Sequence, residues 1–226
     1  MATFLELVND LERESGTIAV ASRVSDVAAV TGRQIKMVEW VVEAWRLIQL
    51  SRADWPWRKR EFLANLIVNQ SRYTAAELGI TKFSGWVKPT LSYSPYSAYD
   101  PAVGASAEQP LMVVPFDQWK TKWARGVHSA MRPCDIAFAY DKKLCVGPKP
   151  DKAYKLNLEY FAAAQILAVN ADVPDLPEEH HGIIVWRAMM LLGDHDEAPT
   201  AVATGSAKYQ ASFRALVDDS FEMAYL

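Results

Sequence analysis

The sequence predicts an α+β fold in which N- and C-terminal helices form a bundle and an antiparallel β-sheet or sandwich is inserted between them. Capped segments with helical spacing lie at both ends, strand-forming residues fill the middle, and 226 residues are enough to bury a sizeable core. We expect a discontinuous helical bundle of residues 1–57 and 162–226. The β-rich domain is expected at residues 58–161, with a long loop at 93–110.

The first helix is predicted by a capping box of Thr3 and Glu6, in which each side chain bonds the other residue's backbone N–H. Gly16 suits the end of this helix, because glycine readily adopts the left-handed conformation that closes one. The apolar residues between these signals recur at helical spacing: Phe4, Leu7, Val8 and Leu11.

A second box, Thr31 with Gln34, predicts the start of a longer helix that ends before Pro56. Residues 17–30, between the two helices, give no clear local prediction. The second helix is expected to bury one apolar face: Ile35, Val38, Val41 or Val42, Trp45 and Ile48.

From Glu61 onwards the sequence favours strands, interrupted by one helical turn at 116–123. In the last strand polar and apolar residues alternate, so that Tyr154, Leu156, Leu158 and Tyr160 share a face, as in a half-solvated antiparallel strand. The predicted strands number five or six in one small sheet or sandwich: 61–68, 85–93, 111–114, 135–140, 144–146 and 153–161.

The two cysteines, Cys134 and Cys145, flank a predicted hairpin that turns at Asp141-Lys142. This register pairs Cys145 with Phe138 and places the two sulfurs beyond disulfide reach. We therefore expect two free, buried thiols, which suits a protein assembled in a reducing cytoplasm.

Helix is predicted again after Pro177, which fits a first helical position. The segment from Gly182 to Leu192 is apolar on nearly all sides, so this helix is expected at the centre of the bundle. A last helix is expected from Pro199 to Phe221, with Tyr209, Phe213, Leu216 and Val217 on one side. The final residues, FEMAYL, are apolar and suggest docking onto another surface.

Composition describes an ordinary globular chain with 24 Lys and Arg against 27 Asp and Glu, a formal charge of −3. This balance argues against a protein whose main task is to wrap nucleic acid, because such domains carry a large basic excess. We also expect no secretory leader and no membrane association, since the longest apolar window is too short to span a bilayer. Of the eight Trp residues, we expect Trp40, Trp45 and Trp186 mainly in the core.

The sequence offers no catalytic, cofactor or metal signature. His180 and His181 are adjacent and point in different directions on a helix, so with His195 they are expected to be exposed helix-end residues and not metal ligands. Gly-rich phosphate loops and a Gly-x-Ser-x-Gly elbow are absent. Paired carboxylates such as Asp218-Asp219 fall at helix ends, where surface acids are common.

Two segments are candidates for partner contacts. Residues 52–60, RADWPWRKR, combine aromatic and basic side chains that suit an acidic partner or nucleic-acid phosphates, although a helix end with Trp folded into the core gives the same pattern. Residues 93–110 repeat Tyr in a Ser/Pro setting typical of either an adhesive or a disordered loop. The candidate contact residues are Trp55, Trp57, Arg58, Lys59, Arg60, Tyr93, Tyr96, Tyr99, Tyr209, Phe213, Phe221 and Tyr225.

The whole chain resembles the head-to-tail adaptor, or connector, proteins of tailed bacteriophages, the tail-tubular-protein-A-like and portal-binding adaptors. The segments that carry the resemblance are FLELVNDLERESG at the N-terminus, VVEAWRLIQLSRADWPWRKREF, RPCDIAFAYDKKLCVGPKPDKAYKLNLEYF and LPEEHHGIIVWRAMMLLGDHDEAP. The most specific portions are residues 41–57 and 143–199. The loop at 93–110 is the least similar region.

The resemblance implies a structural virion protein without enzymatic activity, catalytic residues or cofactors. It implies a homo-oligomeric, dodecameric ring at the head-tail junction that contacts the portal protein and a tail or nozzle protein. Double-stranded DNA would pass through its bore without sequence specificity, and assembly would take place in the host bacterial cytoplasm. The apolar C-terminus would dock onto the portal or a neighbouring subunit.

Two other functions fit the sequence. One is a virion-associated cell-wall hydrolase that uses a carboxylate such as Glu178 or Asp196. The other is a tail completion protein that contacts the tail tube instead of the portal, for which no residue discriminates.

Overall fold

The computed structural model describes residues 1–16, 23–90 and 93–222, apart from the side chain of Glu222. Helices and mostly antiparallel strands both contribute, which confirms the predicted α+β class. Part of the segment 17–30, which has no clear local prediction, and the final residues of the chain lie outside the described residues.

The chain divides into two compact units. Residues 1–58 and 164–226 form one, the helical unit, and residues 59–163 form the other, the β unit. The long helices of the helical unit are α1 (Phe4–Ser15), α2 (Arg33–Leu50), α4 (Gly182–His195) and α5 (Pro199–Glu222).

Helix α1 forms as predicted. The Thr3 hydroxyl accepts the backbone N–H of Glu6, and the Glu6 carboxylate accepts the backbone N–H of Thr3 at 2.7 Å. Gly16 closes the helix at φ 63°, in the left-handed region that glycine adopts without strain. The predicted apolar face is buried.

Helix α2 begins later than predicted, and the capping box of Thr31 and Gln34 does not form. Gly32 stands at the N-cap with φ 56° and has no side chain that could cap the helix. The chain turns there, and helical geometry starts at Arg33. Ile35 lies off the stripe that is buried and is 42% exposed, which corrects its assignment to the core. Trp45, Ile48 and the rest of the buried stripe follow from Met37.

Helix α4 lies at the centre of the helical unit, as predicted, and packs against α1, α2 and α5. It approaches α5 closely at Gly193, where an added Cβ would stand 2.8 Å from the backbone nitrogen of Val202. Its buried residues are Ile183, Ile184, Val185, Ala188, Met189, Leu192 and Gly193.

An irregular segment before α4 is fixed by side-chain amides. The buried Gln49 donates from Nε2 to the carbonyl of Gln165 at 2.9 Å and accepts the backbone N–H of Gln165 at 2.7 Å. The backbone N–H of Phe4 donates to the carbonyl of Asp172 at 2.7 Å. This segment is therefore held against both α1 and α2.

The β unit contains two sheets. In the first, β9 (Lys155–Ala162) pairs along one side with β1 (Lys59–Asn65) and along the other with β4 (Ser97–Tyr99) and β3 (Phe83–Trp86); β5 (Gln109–Pro110) continues from β4. The second has the order β2 (Arg72–Tyr73), β8 (Leu144–Gly147), β7 (Asp135–Phe138) and β6 (Met112–Val113), and only β6 and β7 are parallel.

Both sheets share one core, in which Leu156 and Leu158 of β9 pack with Ile136, Leu144 and Val146. The predicted common face of Tyr154, Leu156, Leu158 and Tyr160 turns towards this core. The short helix α3 (Phe116–Trp119), followed by a π-helical turn at Lys120–Ala124, confirms the predicted helical turn.

The loop predicted at 93–110 contains regular structure. Strand β4, a 3-10 turn at Ala105–Ala107 and strand β5 lie within it. These strands and β2 were not predicted, because two or three residues are too few to show alternation. The strand predicted at 85–93 is wrong in its bounds, since β3 begins at Phe83 and ends at Trp86.

The hairpin register differs from the prediction by one residue. Phe138 pairs with Leu144 and Ala137 with Cys145, because the turn takes three residues and ends with Lys142 at φ 61°. Both cysteines are free, and Cys145 is buried as predicted. Cys134 is exposed, so the prediction that it is buried is wrong: it lies just before β7, outside the paired residues.

Candidate functional site

The Trp residues after α2 form an aromatic cluster in the helical unit. The ring of Trp57 lies 5.4 Å from that of Trp45 and 5.5 Å from that of Trp55. Trp55 is fully buried, and its Nε1 donates to the carbonyl of Ile48 at 3.1 Å. Trp55 is therefore a core residue, which corrects its choice as a contact candidate, while Trp57 is half-buried.

The C-terminal part of α5 covers this cluster. Phe213 meets Trp55 edge-on at 5.9 Å, and Phe221 lies 6.2 Å from the same ring. The guanidinium of Arg52 stands 4.2 Å above Phe221. Tyr209, Phe213 and Phe221 keep half-buried side chains that can meet a partner. Tyr225 lies outside the described residues.

The basic run at 58–60 does not form one surface patch. Arg58 is buried and donates to the carbonyl of Gln49 at 3.0 Å, and burial lowers the pKa of its guanidinium. Lys59 is exposed but forms an ion pair with Glu159 at 2.7 Å. Arg60 is half-buried. Arg58 is therefore corrected from a contact candidate to an interior residue.

The three tyrosines spaced by three have different environments. Tyr93 is half-exposed, and its hydroxyl donates to the Glu159 carboxylate, which raises the pKa of this phenol to about 12. Tyr96 is fully buried, donates to the carbonyl of Val87 at 2.6 Å, and is corrected to a core residue. Tyr99, in β4, is half-buried. Of these three tyrosines, only Tyr93 and Tyr99 have solvent-accessible side chains.

His180 and His181 are buried, so the prediction that both are exposed is wrong. The Nε2 atom of His180 is 2.8 Å from a carboxylate oxygen of Asp219. The two ring nitrogens of His181 contact the backbone of Ala2 and, at 3.1 Å, the carbonyl of Leu176. These rings fix the segment before α4, and no group of metal-ligating residues occurs in the described ranges.

The carboxylates named for hydrolysis have structural partners. Asp196 bonds Arg33 and His195, which lower the pKa of its carboxyl to about 2. Glu178 forms an ion pair with the amino group of Met1. A general acid in glycoside hydrolysis needs a raised pKa, so Asp196 is poorly suited to that role.

A feature that the sequence did not predict is a cleft of about 400 Å³ in the β unit, which we call the Arg72–Trp119 cleft. The Arg72 guanidinium lies 5.3 Å above the ring of Trp119, so a cation and an aromatic wall are fixed together. The lining residues are Ser71, Arg72, Trp119, Trp123, Ala124, Gly126, Val127, His128, Val146 and Lys149.

Trp123, in one wall of this cleft, is held in place by its neighbours. Trp123 donates from Nε1 to the Asp135 carboxylate at 2.7 Å, and Lys122 forms an ion pair with the same carboxylate. The Trp123 ring also occupies the space where a side chain on Gly147 would begin. The sequence signal for this site is the run FDQWKTKWAR, in which aromatic and basic residues interleave.

Charge is distributed unevenly between the two units. The β unit holds 14 Lys and Arg against nine Asp and Glu, a formal charge of +5. The helical unit holds the other 10 basic residues against 18 acidic ones, a formal charge of −8, and the two values together give the −3 of the chain. The near-neutral total therefore conceals two units of opposite sign.

The chain matches the model of a known protein family. The sequence profile of the family described as SU10 adaptor protein matches residues 2–225, which is nearly the whole chain. A search of the curated proteins found no match. In the described residues, no helix has both the length and the apolar character that crossing a membrane requires.

Proposed function

Because the chain belongs to the SU10 adaptor protein family of phage head-tail adaptors, we propose that it forms a dodecameric ring between the portal vertex and the tail. The single observation that carries this proposal is the family match, since it extends over both units. The protein is then a structural component of the virion at the head-tail junction, made in the host bacterial cytoplasm.

The ring would surround a conduit for double-stranded DNA. A bore through which DNA slides should not bind it tightly, because each phosphate contact adds affinity and slows release. The β unit has only five more basic than acidic residues and the helical unit has eight more acidic than basic ones, so neither carries the large basic excess of a tight DNA binder, which supports passage without sequence specificity.

Contacts with neighbours are proposed at the candidate residues that retain accessible surface. In the helical unit these are Trp57, Tyr209, Phe213 and Phe221, which are half-buried aromatic side chains of the kind that anchor interfaces. In the β unit they are Lys59, Arg60, Tyr93 and Tyr99. The expected partners are other copies of the chain, the portal protein and a tail or nozzle protein.

Mixing the purified chain with portal rings and imaging the product by cryo-electron microscopy tests the proposal. Dodecameric caps on the portal are the expected result. Chains that remain free would contradict it, and rings found only on tail tubes would favour a tail completion protein instead.

A second experiment concerns the apolar C-terminus, which we propose to dock on the portal or on a neighbouring subunit. Residues 223–226 can be removed while Phe221, which packs near Trp55, is retained. The shortened chain is expected to keep its circular dichroism spectrum and to lose attachment to portal rings. Unchanged attachment would contradict this role of the C-terminus.

A further inference from the structure

We propose that the Arg72–Trp119 cleft binds an acidic segment from the helical unit of a second copy of the chain. This inference rests on the proposed function, because it supplies the contact through which copies would join into a ring. It is carried by an unneutralised cation on an aromatic wall, by a second cation at the same cleft, and by the opposite charges of the two units.

The guanidinium of Arg72 is fixed in place without an acidic partner. It stands 5.3 Å above Trp119 and 5.8 Å above Phe116, so stacking on two rings restricts its position. No carboxylate in the described part of the chain lies within ion-pair distance of it. By contrast, Lys122 and Lys143 of the same unit each have a carboxylate partner at 2.7 Å. Arg72 is therefore a preorganised site for an incoming anion.

Lys149 adds a second cation to the cleft. It is exposed, and it stands between Pro148 and Pro150, whose rings restrict the backbone on either side. Its carbonyl accepts the backbone N–H of Met131 at 2.9 Å, and its ammonium has no carboxylate partner among the residues described. Two cations around one concave surface attract carboxylates more strongly than either does alone.

The wall of the cleft also has an unsatisfied donor. Trp119 is 1% exposed, and within the described ranges its Nε1 has no hydrogen-bond partner. A buried donor left without an acceptor destabilises the folded state. Trp123 beside it already donates to Asp135. This Nε1 atom is itself buried, so it is a feature of the wall and not a contact for the occupant.

The charge distribution identifies the occupant as a second copy. The helical unit has a formal charge of −8, and its exposed acids include Asp194 in the last turn of α4 and Glu197 between α4 and α5. Neither acid forms an ion pair within the described chain. The same chain thus offers a basic cleft on one unit and unneutralised carboxylates on the other.

Complementary charges on different surfaces are compatible with a ring. A head-to-tail contact brings the basic cleft of one copy to the acidic surface of the next, and such contacts close into rings when the rotation permits. A two-fold contact instead pairs the cleft of each copy with the acidic surface of the other, so the size of the oligomer in sedimentation distinguishes the two arrangements.

Duplex DNA is the other polyanion to consider, and the observations favour it less. The β unit has five more basic than acidic residues, a modest excess for a surface that binds DNA phosphates. The cations lie at a cleft with aromatic walls, which suits a protruding peptide segment better than the outer surface of a double helix.

The test compares two charge-reversed forms of the full chain. Arg72→Glu with Lys149→Glu alters the cleft, while Lys82→Glu with Lys88→Glu makes the same change in charge at two exposed residues of the β unit that do not line it. Self-association is measured by sedimentation velocity at low and high salt, cap formation on portal rings by imaging, and binding to duplex DNA by fluorescence anisotropy. Circular dichroism confirms that each variant is folded.

We expect the cleft variant to associate at least about tenfold more weakly than the unaltered chain, and the control variant to stay within about threefold. Equal losses in both variants, or no loss in either, would overturn the proposal. So would a cleft variant that loses DNA binding but associates normally, since the ligand would then be nucleic acid.

The same measurements separate the two proposals. If the cleft variant caps portal rings and self-associates as well as the unaltered chain, the cleft proposal fails and the proposed function stands. If the unaltered chain associates through the cleft but never caps a portal, the cleft proposal stands and the proposed function fails.

Discussion

The indole ring of Trp123 lies directly over Gly147, in the space that any side chain at position 147 would need. Gly147, the last residue of β8, thus packs beneath Trp123, which forms one wall of the Arg72–Trp119 cleft. The ring is held there by its hydrogen bond to Asp135. Glycine at this position is therefore a requirement of packing.

Gly147→Ala is expected to displace Trp123 and to lower the free energy of unfolding by about 1–3 kcal/mol, the usual cost of overpacking. Urea denaturation followed by Trp fluorescence measures the change. The matched control is Gly85→Ala, because a Cβ at Gly85 meets no atom within 4 Å. Equal effects of the two substitutions would contradict the packing explanation.

Gln49→Leu is expected to lower the free energy of unfolding by about 2–3 kcal/mol, since it leaves the backbone N–H and carbonyl of Gln165 without their partners. Chemical denaturation gives the value. Gln210→Leu serves as a control, because Gln210 is exposed on α5, and there the change should stay within about 0.5 kcal/mol. A neutral Gln49→Leu would show that this bridge does not stabilise the fold.

The ion pair of Asp196 with Arg33 predicts a loss of stability in acid. Because the folded chain lowers the pKa of Asp196 from 3.8 to about 2, its contribution is complete above pH 3.8 and is lost as the pH falls through about 2. The pair is partly exposed, so Asp196→Asn should cost less than about 1 kcal/mol at pH 7 and nothing at the lowest pH. Urea denaturation at several pH values tests this, with Asp194→Asn as the neighbouring control. A cost that persists at the lowest pH would contradict the assignment.

The two thiols are expected to react at very different rates. Desolvation raises the pKa of both thiols, that of Cys145 to about 11, so the difference in rate comes mainly from access: Cys134 is exposed, whereas Cys145 is buried. A chromogenic disulfide reagent should label one thiol in the native chain and two after unfolding. Cys134→Ser should remove the native reaction, and rapid labelling of that variant would show that Cys145 is accessible.

Local signals in the sequence predict parts of this fold well. Helix α1 is predicted by local signals at its two ends, the capping box of Thr3 and Glu6 and the glycine at position 16. The alternation of polar and apolar residues along β9 identifies the buried face of that strand. The sequence could not predict the start of α2, because the positive φ of Gly32 overrides the Thr31 signal. Nor could it predict the hairpin register, because a third turn residue, Lys142 in the left-handed region, shifts every pair by one.

The candidate contact residues were only partly predictable for a similar reason. The sequence alone does not distinguish a Trp, Tyr or Arg in the core from one that contacts a partner. Trp55, Arg58 and Tyr96 are interior residues. The Arg72–Trp119 cleft was missed because Arg72 and Trp119 are far apart in the chain. Their proximity exists only once β2 and α3 are in place.

The chain passes between its two units at only two points, after Arg58 and after Ala163. Within the β unit these crossings are next to each other, because Lys59 pairs with Phe161 across β1 and β9. An inserted segment whose ends are adjacent adds little loop-closure entropy to its host. Among the described residues each hydrophobic core draws only on its own unit, so the β unit is suited to exchange as a module that leaves the core of the helical unit intact.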